Sequence, residues 1–304
     1  MTRGREQAMG SHPGNLDELC RPVIADRQVS ADGSRKYVMR LRDGALVETV
    51  GIPHGDPDAP SKLTVCLSTQ AGCSMGCAFC ATGRQGLTRN LEASEMVWQV
   101  VLVGRDFGRG VDAAIAMGQG EPLANYAQVT RAMGYLGHEE GLGICPDQLI
   151  VSTCGIPSGI RALADDGVPA RLAVSLHAAR QELRDELMPG VRAFPLPQLH
   201  DELARYNERT GRYVIVQYLM LGGVNDGSED LEALAAFCGG LDAHVLLLQF
   251  NRVEGIPFEP STYGASVLWG MELNHRGIPA SVNRPRGADI HAACGQLVAR
   301  RAEG

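Results

Sequence analysis

Leu63-Thr-Val-Cys66-Leu-Ser-Thr-Gln-Ala-Gly-Cys73-Ser-Met-Gly-Cys77-Ala-Phe-Cys80 is the stretch on which the reading of this chain turns. Its first half, residues 63–69, is an apolar run of strand length. Its second half is a glycine-punctuated loop with cysteines spaced Cys-x3-Cys-x2-Cys. Thiolates are soft ligands that suit iron–sulfur clusters and zinc. A loop this short can wrap one cuboidal cluster with three sulfurs on three irons, leaving the fourth iron open to a small chelating substrate. Structural zinc usually takes four ligands, often from two separated Cys-x2-Cys pairs, and the chain has no second pair. The spacing therefore favours Cys73, Cys77 and Cys80 as ligands of a [4Fe–4S] cluster, with a zinc site or unrelated buried cysteines as the alternative.

Downstream, short β-like runs alternate with helical patterns. Strands are expected at 63–69, 113–117, 148–153, 171–177, 213–220 and 244–251, and a last one near 280–284. Helices are expected at 92–107, 126–139, 158–165, 196–210, 228–238 and 263–276. In 92–107, Met96, Val97, Val100 and Val101 form an apolar stripe at helical spacing. Such alternation implies parallel strands joined by right-handed crossovers. Six βα units are too few for a closed eight-stranded barrel, so the fold class is α/β, a partial (β/α)6 barrel. Ligands of such folds bind at the carboxyl ends of the strands, where Gln119-Gly120-Glu121, Ser152-Thr153, Ser175-Leu176-His177 and Asn251 fall.

Upstream, residues 37–41 and 46–52 flank Asp43-Gly44, a two-residue turn signal, and predict a β-hairpin. Residues 53–60 read as a linker, and residues 1–33 as extended or partly disordered. The organisation expected is an N-terminal extension over 1–60 and a core over 61–304 that ends in a catalytic segment.

The chain has 304 residues, 44% of them hydrophobic, enough for one large domain. Nine cysteines without a hydrophobic leader point to metal ligands or catalytic thiols in a reducing, cytoplasmic setting, not to a disulfide scaffold. No apolar run is long enough for a bilayer. The net charge of −7 argues against a broadly basic nucleic-acid binder but leaves room for a local basic patch. Lys36 and Lys62 are the only lysines; the other basic residues are arginines, a bias that Ala/Gly-rich composition also explains.

The triplet, with Phe79 before its last cysteine, resembles the radical S-adenosylmethionine (SAM) signature. Further segments resemble the RlmN/Cfr family of RNA adenosine methyltransferases. These are residues 47–50, Cys66 with 68–70, 118–122, 152–155, 175–178, 224–227 and 286–297, in the same order along the chain. The resemblance implies a [4Fe–4S] cluster, two SAM molecules per turnover, and an adenosine of rRNA and/or tRNA methylated at carbon 2 or carbon 8. It implies that Cys294 takes a methyl group from one SAM, a displacement by thiolate. The other SAM, cleaved to a 5′-deoxyadenosyl radical, activates that methyl for addition to the ring. Glu48 then removes the ring proton, and Cys66 attacks Cys294 to release the product through a transient disulfide. The SAM-binding residues implied are Gly120, Glu121, Ser152, Ser175, Leu176, His177 and Asn251. An electron donor such as flavodoxin or ferredoxin, and a monomer, complete the expectation.

The chain departs from the family pattern in three places. It is short before Glu48, so the usual N-terminal helical RNA-binding domain is expected to be reduced or absent. Gln119 stands where the family usually has methionine, and Arg252 follows Asn251 where proline is common. Arg84, Arg89, Arg180, Arg184, Arg192, Arg284 and Arg286 lie near motif loops and are candidates for phosphate contact. Cys20, Cys145, Cys154 and Cys238 carry no motif and read as ordinary cysteines. A radical-SAM enzyme acting on a non-RNA substrate is the alternative, as is a non-catalytic cluster or zinc module.

Overall fold

The computed structural model describes residues 20–57 and 59–297. Four strands come first among the described residues: β1 (Val23–Val29), β2 (Arg35–Arg40), β3 (Leu46–Gly55) and β4 (Pro60–Leu67), each antiparallel to the next. A small antiparallel hairpin, β5 (Gln70–Gly72) and β6 (Leu87–Asn90), encloses helix α1 (Ala81–Gln85). The regular alternation then begins: α2 (Ala93–Phe107), β7 (Ala113–Ala116), α3 (Tyr126–Gly137), β8 (Leu149–Thr153), α4 (Pro157–Asp165), β9 (Arg171–Ser175), α5 (Gln181–Leu187), α6 (Leu196–Thr210), β10 (Val214–Met220), α7 (Ser228–Cys238), β11 (Ala243–Gln249), α8 (Tyr263–His275) and β12 (Ala280–Val282). One sheet holds ten of the strands in the order β1-β2-β3-β4-β7-β8-β9-β10-β11-β12. From β4 onward every neighbour is parallel. This is the expected α/β architecture, six βα units and a final strand in an open partial barrel.

The apolar pattern explains the layers. Central strands such as β9 and β10 are buried on both faces, so they read as continuous apolar runs. Helix α2 buries Met96, Val97, Trp98, Val100 and Val103 against the sheet. Its first turn is closed by a reciprocal Glu92–Glu95 capping box, and Gly108, in the left-handed region, ends it.

Local expectations fail where pairing, not periodicity, makes the element. Residues 23–29, expected to be extended or partly disordered, are extended and paired as β1, a strand the sequence did not single out; this edge strand is exposed on both faces and carries no alternation. Residues 1–19, within the same expectation, lie outside the described residues. The linker expected over 53–60 is partly strand, because Pro53, His54 and Gly55 continue the β3–β4 ladder and Pro60 begins β4. The loop joining β2 and β3 has three residues, not two. Leu41 and Ala45 still pair (N–H to O, 2.8 Å), and Gly44 takes φ +87°. Among the described residues no helix is long and apolar enough to cross a membrane.

Candidate active site

The cysteine loop follows β5 and is held from several sides. The Cys73 amide donates to the Gly86 carbonyl (2.9 Å), Ala78 N–H to the Leu187 carbonyl (2.9 Å) and Gly190 N–H to the Met75 carbonyl (2.9 Å). Gly72 has φ +79°, and a Cβ there would lie 2.0 Å from the Gly86 oxygen, so only glycine lets the two chains pass. Cys73, Cys77 and Cys80 are unpaired and half-buried. Burial pushes the Cys73 thiol up to about 11. Burial pushes Cys77 up as well, and the charges of Cys80 and Cys73 add to it. Among the described residues no three His, Cys, Asp or Glu side chains converge as a single ion requires. A cuboidal cluster takes each thiolate on a different iron, so three soft sulfurs carried by one short loop fit it.

The strand-end residues form a connected buried network. Glu121 accepts from Leu123 N–H (2.9 Å), the Thr153 hydroxyl (2.6 Å) and Cys154 N–H (2.7 Å). Burial outweighs these bonds and raises its pKa. Gly120, at φ +99°, sits so close to Gln70 that a Cβ would approach its Cβ to 2.5 Å. The Ser152 and Ser175 hydroxyls both lie on Gln217 Oε1, at 3.0 and 3.2 Å. Each hydroxyl has one proton, and the carboxamide oxygen takes both, so the serines turn only lone pairs outward. Leu176 is fully buried, its N–H on the Gln217 carbonyl (3.0 Å). His177 is buried with φ +56°; its Nδ1 accepts Leu219 N–H at 3.0 Å. Burial, with the Arg184 charge second, lowers its pKa to about 3. The ring is therefore neutral, with its proton on Nε2 as a donor. Asn251 is half-buried, its amide on the Gln249 carbonyl (3.2 Å).

A second group of functional candidates lies on the face shared by β3 and β4. Val50 pairs with Cys66 across the ladder, and Glu48, two residues before Val50, projects to the same side. The C-terminal segment packs there: Ala292 and Leu297 join Val50, with Ile52, Cys66 and Ile290 against them. Ser30 Oγ and Ala31 N–H donate to Asp289 (2.5 and 3.1 Å), and Gly287 N–H donates to Asp32 (3.0 Å). At the cysteine loop, Ala81 N–H and the Thr82 hydroxyl donate to the Gly295 and Leu297 carbonyls (2.8 and 2.6 Å). Cys294 Sγ lies 3.9 Å from Met117 Sδ. Burial raises the Cys66 thiol to about 12, and Cys294 adds to the effect. Burial raises Cys294 too, with Cys80 contributing. Cys294 thus neighbours both Cys66 and the cluster loop. Glu48 is buried and pairs with Lys36 (3.6 Å). Gln119 accepts the Glu48 N–H (3.2 Å), a bond that a methionine there would not make as well.

A model of the radical SAM superfamily matches residues 67–238. The probable dual-specificity RNA methyltransferase RlmN of Synechocystis is 42% identical over 283 residues, 93% of this chain and 79% of that protein. The dual-specificity RNA methyltransferase RlmN of Lawsonia intracellularis is 40% identical over 282 residues, 91% and 78% respectively. The chain belongs to the RlmN family of radical SAM enzymes. The crystal structure of a radical SAM methyltransferase from Sphaerobacter thermophilus superposes with a TM-score of 0.88 at 38% identity, covering 97% of this chain and 89% of that one. This protein is thus a radical SAM methyltransferase, and radical SAM membership implies a [4Fe–4S] cluster and SAM, for which the cysteine loop supplies a fitting donor set.

Within this radical SAM frame, sequence reasoning missed several residues of the site. Gln217 reads as one polar residue in a buried strand, and only the strand order brings it between Ser152 and Ser175. Helix α5, with Arg184, was not expected, because seven residues are too few to show a period. Arg184 is fully buried and donates to the Cys154 carbonyl (2.7 Å), which rules out the phosphate contact expected of it. Arg89 pairs with Glu95 and Asp43, Arg180 with Asp230 and Glu229, and Arg84 and Arg192 donate to the Gly255 and Asp185 carbonyls. Arg284 and Arg286 are exposed.

Proposed function

We propose that this enzyme methylates carbon 2 or carbon 8 of an adenosine in rRNA and/or tRNA, with Cys294 as carbon carrier, Cys66 as resolving thiol and Glu48 as base. The observation that carries the reading is that the segment bearing Cys294 packs on the face of β3 and β4 that holds Cys66, 228 positions away in sequence, and is bonded to the cysteine loop through Ala81 and Thr82. Two of the RlmN-family proteins similar to this chain are named as RNA methyltransferases.

Adenine carbon 2 is a poor nucleophile, so direct displacement on SAM is slow. A thiol carrier splits the transfer into two easier steps. In the first, Cys294 displaces the methyl of one SAM, which needs its thiolate. Cys73, Cys77 and Cys80 would hold the cluster, which when bound supplies the one electron that cleaves a second SAM and so activates the methyl on Cys294. Glu121, Ser152, Ser175 and the Nε2–H of His177 would bind SAM, with Gly120, Leu176 and Asn251 lining the site. Glu48, buried beside Lys36, would accept the ring proton, and its carboxylate must then pass that proton outward. Cys66, as thiolate, attacks the Cys294 sulfur; the bond from that sulfur to the product carbon breaks with its electron pair going to carbon, which takes up a proton to become the methyl, and a disulfide forms that a reductant must reopen. We place the reaction in the cytoplasm, in a monomer served by a low-potential donor such as flavodoxin or ferredoxin. The target adenosine must leave its stack to reach strand ends.

Cys294→Ala is expected to abolish methyl transfer, and Cys66→Ala to accumulate a covalent protein–RNA adduct seen as a mass shift. Normal turnover by either variant rejects the mechanism. Mass spectrometry of adenosines in rRNA and tRNA from cells with and without the protein identifies the substrate.

A further inference from the structure

Arg184 is 0% exposed, yet no carboxylate among the described residues pairs with it. Nη2 donates to the Cys154 carbonyl at 2.7 Å, while Nε and Nη1 have no hydrogen-bond partner among the described residues. A guanidinium stays charged in proteins, and burying it without an anion costs several kcal/mol. Asp185, next in the chain, is a described carboxylate whose charge reaches Arg184, but it makes no ion pair with it and instead accepts from Gln181 (2.7 Å), so the buried cation has no contacting anion among the described residues.

Its position indicates the missing anion. Arg184 sits in α5, whose last residue, Leu187, accepts the amide of Ala78, the residue after Cys77. The next turn of chain returns to the same loop through Gly190 N–H on the Met75 carbonyl. Cys154, the partner of Nη2, packs with Phe79, Leu187 and Met188, and Met75, Cys77 and Cys80 lie against that group. The Arg184 charge is also felt at Cys77, Cys154 and His177. Glu121, whose charge reaches Cys73 and Cys77 of the loop, is committed to Thr153, Cys154 and Leu123.

We infer that Arg184 is the buried counter-charge of the iron–sulfur cluster, a positioning residue that helps hold it and raises its reduction potential. The inference rests on reading Cys73, Cys77 and Cys80 as cluster ligands. A [4Fe–4S] core with three thiolates is a net anion, and one-electron reduction makes it more negative by one charge. A fixed cation in a low-dielectric wall favours the more negative state, so it moves the equilibrium toward the reduced cluster. The two free N–H edges give hydrogen bonds to cluster or thiolate sulfur, another route by which proteins tune such potentials.

The test is an EPR-monitored redox titration of the anaerobically reconstituted protein, with dithionite as reductant and dye mediators. In Arg184→Met the ratio of reduced to oxidised cluster at a fixed poise should fall tenfold or more, which corresponds to a potential lower by about 59 mV for one electron. Arg184→Lys keeps the charge and should stay nearer the wild type. An unchanged potential in Arg184→Met overturns the inference while leaving the cluster reading intact; a wild-type protein that assembles no cluster overturns that reading and the inference with it. If Arg184→Met folds but binds no cluster, melting of the cluster-free proteins decides. Removing an uncompensated buried charge should leave the variant at least as stable as the wild type. A lower melting temperature would mean that Arg184 only braces the Cys154 carbonyl.

Discussion

Gln217→Leu tests whether the polar set at the strand ends is built for SAM. Gln217 is 2% exposed, and its one oxygen holds the protons of Ser152 and Ser175 at 3.0 and 3.2 Å. Leucine fills similar space but accepts nothing, so both hydroxyls become free rotors and lose their outward-facing lone pairs. A neutral hydrogen bond contributes about 0.5–1.5 kcal/mol. Two lost together are worth about 1–3 kcal/mol, or roughly a 5- to 150-fold weaker SAM complex. Gln217→Glu keeps an acceptor for both hydroxyls and should bind SAM more tightly than the leucine variant. The assay is equilibrium SAM binding to the reconstituted proteins, with thermal melts to separate folding from binding. A leucine variant within twofold of the wild type in SAM affinity would refute the reasoning, because the serines would then not be acting through Gln217.

Thr82→Val removes the hydroxyl that holds the Leu297 carbonyl at 2.6 Å, at a site 3% exposed. A loss of about 1–2 kcal/mol should speed hydrogen exchange of the Gly295–Leu297 amides about 5- to 30-fold, and unchanged exchange would show that this tether does not hold the Cys294 segment. Gly120→Ala places a methyl against Gln70 at φ +99°; this should lower the melting temperature and weaken SAM binding, through strain of about 1–3 kcal/mol. Asp106 ties β1 and β2 to α2 through Arg27 (2.5 Å), Arg35 (2.7 Å) and Tyr37 (2.7 Å). Burial raises its pKa, but the bonds from Arg35, Tyr37 and Arg27 more than offset this and hold it below the ordinary value. The stabilisation is therefore present above the unfolded pKa of about 3.9 and lost as pH falls through the lower folded value. Urea unfolding at pH 5 and pH 3 should show a smaller acid loss for Asp106→Asn than for the wild type.

The alternation of apolar runs with helical stripes was enough to order six βα units, because buried parallel strands and amphipathic helices leave different periods in sequence. The spacing of Cys73, Cys77 and Cys80 was legible because all three ligands come from one loop. Edge strand β1, with nothing buried on either face, left no such trace, nor did the seven-residue helix that carries Arg184. Sequence motifs named Cys66 and Cys294 only through a family resemblance. Their meeting depends on β4 lying beside β3 and on the last segment returning over that face, held by Asp289, Gly287, Gly295 and Leu297. The same is true of Gln217 between two serines and of a buried arginine under the cysteine loop. Local order alone determined which residues form the elements and the ligand loop. Tertiary packing decided which charges lack partners and which cysteine-bearing segments pack together, because those depend on contacts between segments far apart in the chain.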